Sequence, residues 1–236
     1  MGYRELTELL LERIQIVWPP VALTFVLEPP PGVPPMGKES PSFCTFWRWG
    51  ERSLFYASGQ QHLGCPIGAM VAGFPLPEEA RQELPALMNE MCEGEEAGLD
   101  DEIARTPRVA KPAEGIVYGP LWQFPMEPDL VVIWANMVQM AVLQEVGGAI
   151  LWSGRPQGAV FTRPACSVLA IALAQQKPAL SLGCAGMRAY TAVPADLFLV
   201  AIPAGALGRL QGALAAREDA PERLQFYLEK LRAGLA

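Results

Sequence analysis

The chain has 236 residues, 25 acidic against 18 basic side chains, a net charge of −7, and 51% hydrophobic against 18% charged residues. That is too apolar and too weakly charged for a disordered chain. The acidity argues against the basic footprint of a nucleic-acid binder. The mean hydropathy of +0.19 raises the question of a membrane span. The longest apolar runs are Leu130–Leu143, Cys166–Ala174 and Leu197–Leu207, interrupted by Asn136 and Gln139, by Ser167 and by Pro203. All fall short of the roughly 20 residues that a span needs. The N-terminal segment carries acids and no long apolar run, unlike a secretory signal. The expectation is a soluble, cytoplasmic protein with no membrane partner and no nucleic-acid partner.

In chain order, Leu6, Leu9, Leu10 and Ile14 fall on helical spacing, which predicts a helix over Tyr3–Ile16 stopped by Trp18-Pro19-Pro20. Val21–Leu27 reads as a buried strand, and the proline-rich Glu28–Pro41 as a loop. Phe43–Trp49 reads as a short helix ended at Gly50, and Ser53–Ala57 as a strand. Cys65-Pro66 opens a small-residue helix with proline at the favoured first position. Pro77–Met91 is helical with an interruption at Pro85, and Cys92–Pro112 is charged and turn-rich. Gly115–Tyr118 and Asp129–Ala135 are strands. The second contains the continuously apolar Leu130–Trp134, as a strand covered on both faces would. Asn136 and Gln139 form a capping-box pattern before a helix to about Val146. Then follow a strand at Ala149–Trp152, a helix at Pro164–Ala174, a short strand at Ala179–Leu182 and a strong strand at Asp196–Ile202. Helices at Pro203–Ala215 and Pro221–Leu235 close the chain. Strands alternate with helices throughout, and no repeat or linker divides them. The expectation is one α/β domain over residues 1–236, a mixed sheet with helices on both faces.

Chemistry is sought in the scarce residues, one His and five Cys. An odd cysteine count without an export signal argues for buried thiols, reactive thiols or ligands rather than disulfides. There is no glycine-rich dinucleotide or phosphate loop, no close Cys pair and no nucleophile elbow. The densest constellation is His62-Leu63-Gly64-Cys65-Pro66, which puts Cys65 at a helix N-cap. A thiolate is favoured there, and His62 is close enough in sequence to ligate a metal, pair with the thiolate or move protons. A turn histidine beside a small buried cysteine is the plainer alternative. In Gly183-Cys184-Ala185-Gly186-Met187-Arg188, the arginine would lower the Cys184 pKa or bind an anionic substrate; a glycine-rich turn around a buried Cys is the alternative. Cys44 lies in an aromatic stripe that reads first as core, with Arg48 one helical turn on and a second candidate for substrate binding. Cys166, in the first turn of a predicted helix, is an intermediate case, and Cys92 reads as a bystander.

The order of these residues is familiar. A Cys-started helix with Arg48 is followed by His62-x-x-Cys65-Pro66-x-Gly68-Ala69. Next come Tyr118-Gly119-Pro120-Leu121 and Glu127-Pro128-Asp129-Leu130-Val131-Val132, and last Cys166 and Cys184-x-Gly186-x-Arg188. This resembles the DUF169 family, uncharacterised proteins of bacteria and archaea, from roughly Leu6 to Leu214. The resemblance implies a soluble prokaryotic α/β protein and groups Cys44, His62, Cys65, Cys184 and Arg188 as one set. It brings no activity. The family pattern has a polar residue where this chain has Met187.

Three readings follow. In the first, Cys44, Cys65 and Cys184, with His62 as fourth ligand or proton donor, hold an iron–sulfur cluster or zinc in a redox or cofactor-handling protein. In the second, a metal-free thiol enzyme uses Cys65 as nucleophile and His62 as its partner. In the third, the protein is a non-enzymatic binder of a small molecule. The composition permits a homodimer. Whether the protein is an enzyme stays open at this level.

Overall fold

The computed structural model describes residues 2–92, 103–148, 150–152, 164–217 and 220–234. Its strands are β1 (Val21–Val26), β2 (Phe55–Ser58), β3 (Gly115–Pro120), β4 (Leu130–Ala135), β5 (Leu151–Trp152), β6 (Ala179–Ser181) and β7 (Phe198–Pro203). They form one sheet in the order β2-β3-β1-β4-β7-β6-β5. Every pairing is antiparallel except β5 with β6, so the sheet is mixed.

The helices are α1 (Tyr3–Leu9), α2 (Phe43–Gly50), α3 (Pro66–Val71), α4 (Glu78–Cys92), α5 (Met137–Gly147), α6 (Ser167–Gln175), α7 (Ala185–Thr191), α8 (Ala204–Ala215) and α9 (Ala220–Gly234). The period-2 geometry of a strand sends successive side chains to opposite faces. In β4, Leu130, Val132 and Trp134 enter one apolar core, and Val131, Ile133 and Ala135 enter the other. In β7, Leu199 and Ala201 face the first and Val200 and Ile202 the second. The first core is closed by α2, α3, α6 and α7, and the second by α1, α5, α8 and α9. Helices therefore cover both faces, which is why Leu130–Trp134 is apolar without alternation although its neighbours run antiparallel.

Local signals account for most boundaries. The Asn136 side chain accepts from Gln139 N–H at 2.9 Å and the Gln139 side chain accepts from Asn136 N–H at 2.8 Å, the reciprocal pair that opens α5. The first helix differs from its sequence reading. After α1 the chain widens into a π-helical turn over Leu10–Ile14 and ends at left-handed Gln15, before the prolines. The wider turn keeps Leu6, Leu10 and Ile14 all buried. Pro85 does not break α4, which runs through it. Where the sequence suggested only a glycine-rich turn, Gly183 opens α7; its φ is +95°, and a β-carbon there would lie 2.2 Å from the Met187 methyl carbon. Residues 93–102 of the charged Cys92–Pro112 segment lie outside the described residues. Among the described residues no helix is long and apolar enough to cross a membrane.

Candidate functional site

Four cysteines from distant parts of the chain meet the same core. Cys44, Cys166 and Cys184 are among its buried members and Cys65 packs against it half-buried. None of the four is in a disulfide. Each sits at the start of a helix. Cys44 is the second residue of α2, its N–H donating to the N-cap oxygen of Ser42 at 3.2 Å. Cys65, Cys166 and Cys184 are the N-cap residues of α3, α6 and α7. The Cys184 Sγ accepts from Met187 N–H at 3.4 Å. Unpaired N–H groups at a helix start favour negative charge, so all four positions suit a thiolate.

Burial works the other way. It pushes the Cys44 thiol well above its ordinary range, and the neighbouring Cys184, Cys166 and Cys65 push in the same direction, against a smaller downward pull from Ser42. Burial also raises Cys65, opposed by the backbone of Phe43 and Gly68. The close seat of Cys65 beside α2 depends on Gly68, where a β-carbon would lie 2.4 Å from the Phe43 β-carbon. The four thiols thus feel one another. Yet among the described residues no three His, Cys, Asp or Glu side chains are placed to hold a single metal ion. A tetrahedral zinc with bonds of about 2.3 Å needs sulfurs roughly 3.8 Å apart. Buried polar atoms near the cysteines in sequence also stand without partners: Thr45 Oγ1, Trp47 Nε1 and Ser167 Oγ. Trp47 lies three residues after Cys44, on the same helix face, and is fully buried.

His62 takes a different place from the one its sequence position suggested. Its ring is fully buried, enclosed by Phe43, Phe46, Phe74 and Tyr118. Nδ1 lies 2.7 Å from the Ser58 carbonyl oxygen and Nε2 2.8 Å from the Tyr118 hydroxyl. A carbonyl only accepts, so Nδ1 carries the proton, and Nε2 accepts from Tyr118. Both ring nitrogens are therefore engaged, and neither offers a lone pair to a metal or to the Cys65 thiol. Burial lowers the His62 pKa to about 4, which keeps the ring neutral. Tyr118 belongs to the Tyr118-Gly119-Pro120-Leu121 run, but its contact with His62 was not anticipated. It is 56 residues from His62, and no local pattern announces a contact at that separation. Its hydroxyl is held well above its usual pKa by burial, with Cys44 and Cys166 adding to the rise.

The two arginines expected to bind substrate are also committed. Arg48 donates to Glu51 and its guanidinium lies 3.6 Å from the centre of the Trp18 ring. Glu51 is buried and also accepts from Trp134 Nε1 at 3.1 Å. Arg188 donates to the carbonyl oxygens of Pro194 and Leu182, each at 2.6 Å, and so pins the two loops that flank α7. Burial lowers the Arg188 pKa, and the neighbouring Cys184 and Asp196 oppose that fall. Cys166, intermediate in the sequence reading, stands with the other three thiols in place of His62. The side chain of Cys92 lies outside the described residues.

The fold and the site together define an α/β protein with a cysteine-lined core on one face of a mixed sheet. The chain belongs to the DUF169 family (Uncharacterised ArCR), whose model matches residues 10–211. Comparison with curated proteins and with solved structures gives no match.

Proposed function

We propose that the protein holds an iron–sulfur cluster on Cys44, Cys65, Cys166 and Cys184, and works as a redox or cofactor-handling protein of the cytoplasm. The observation that carries this reading is the gathering of four thiols from residues 44, 65, 166 and 184 at four helix starts in one core. A cluster spreads four thiolates further apart than one zinc ion does, which agrees with thiols that interact without converging on a point. The partnerless Trp47 Nε1 and Ser167 Oγ are donors of the kind that hydrogen-bond to cluster sulfur. A metal-free thiol enzyme finds less support. Its nucleophile needs a lowered pKa, whereas burial raises Cys65 and Cys44.

The test is anaerobic purification followed by a visible spectrum and assay of iron and acid-labile sulfide. A brown protein with iron and sulfide in matching amounts is expected. Cys166→Ser should lose most of both, and His62→Gln should keep them. A colourless protein, free of iron after purification and after anaerobic reconstitution, overturns the reading. So does a chromophore that Cys166→Ser leaves unchanged.

A further inference from the structure

A second site lies near the other end of α2. The proline-rich connection after β1 is fastened alongside β2. Tyr56 N–H donates to the Pro34 carbonyl at 2.9 Å and Met36 N–H to the Tyr56 carbonyl at 2.7 Å. The Gln61 side-chain amide donates to the Met36 carbonyl at 2.7 Å. Between this fixed wall and the end of α2 is a cavity of about 500 Å³, within the range of small-molecule sites. Its apolar lining includes Pro35, Trp49 and Leu54, and its charged lining is Lys38, Arg48, Glu51 and Arg52.

The charges do not cancel. Glu51 is matched by Arg48, and the oxygen that Arg48 binds also accepts from Trp134. Lys38 and Arg52 are exposed and are not part of that pair. They leave the pocket with two positive charges on a chain whose net charge is −7. A preformed pocket lined by both an indole ring and two excess cations is complementary to one kind of molecule. We propose that it binds a phosphate monoester with a planar apolar body, the phosphate held by Lys38 and Arg52 and the body laid against Trp49 and Leu54. Nothing in this inference depends on the cysteine cluster.

The probe is 1-naphthyl phosphate, titrated calorimetrically into the full chain at low salt. One saturable site is expected. 1-Naphthol, which lacks the charge, 1-naphthoate, which has half of it, and inorganic phosphate, which lacks the body, should each bind at least tenfold more weakly. Lys38→Gln and Arg52→Gln should each weaken binding about fivefold, the upper end for one exposed ion pair. The double reversal Lys38→Glu/Arg52→Glu should abolish it, with the circular dichroism unchanged. Affinity should fall as salt rises. No saturable binding at millimolar ester, equal affinity for 1-naphthol, or unchanged affinity in both single variants overturns the proposal.

Discussion

Lowering the pH from 7 to 4.5 should cost the fold about 2.5 kcal/mol through His62 alone. The chain has a single histidine, and the folded state holds it neutral with a pKa of about 4, against an ordinary value of 6.5. Between those values the unfolded chain binds a proton that the folded chain does not, so stability falls as pH falls. At pH 4.5 the unfolded imidazole is almost wholly charged and the folded one only partly, which gives the figure of about 2.5 kcal/mol. Above pH 6.5 the group's contribution to the pH dependence fades, and it is gone by about pH 8. Glu51 acts in the opposite sense, because burial raises its pKa and the folded state takes up its proton first. The comparison that isolates His62 is therefore urea unfolding of the wild type and of His62→Gln at both pH values. The wild type should lose about 2.5 kcal/mol more than the variant over this interval. A direct reading is also available, because one histidine gives one imidazole resonance. That signal should not titrate above about pH 5. A midpoint near 6.5, or the same pH slope in both proteins, would refute the buried neutral ring and the proton placement drawn from it.

Other outcomes follow from the same geometry. Arg48→Met should destabilise by about 3 kcal/mol, since it leaves the Glu51 carboxylate buried without its cation. Adding Glu51→Gln should recover part of that loss in chemical denaturation. Gly68→Ala should cost about 1–3 kcal/mol, because its methyl meets the Phe43 β-carbon and must part α3 from α2. A drop in melting temperature measures it. In metal-free protein at pH 8, alkylation of Cys44 should be far slower than in the denatured chain, with Cys65, the least buried of the four, reacting first; mass spectrometry of timed samples reads the order.

Much of the fold was legible in the sequence, because its signals are local. Pro66 at the start of α3, the Asn136–Gln139 pair and the unbroken apolar run of β4 each specify their element without help from distant residues. The site was legible only in part. Cys65 could be placed at a helix start from the neighbouring proline, whereas the helix that Cys184 caps was not read from its glycines. The roles of His62, Arg48 and Arg188 could not be read this way, because each is settled by a partner that packing brings to it. Tyr118 reaches His62 from β3, Trp18 reaches Arg48 from before β1, and Pro194 reaches Arg188 from the loop after α7. Spacing shows which residues are neighbours along a helix but not which side chain a sheet will deliver opposite them. The place of Cys166 in the same core as Cys44 and Cys184 was hidden for the same reason: its position in a first turn was visible, but the residues packed around it were not.

The order in which the cysteines occur has a consequence for how the protein is made. Two are contributed before residue 66, the other two only after residue 165, and β4 gains its partner β7 later still. During synthesis the first two thiols wait beside an unfinished sheet while about a hundred further residues emerge. The core they share is complete only once nearly the whole family region has left the ribosome. A group held by all four sulfurs is therefore seated only after the segment that carries Cys184 has been made.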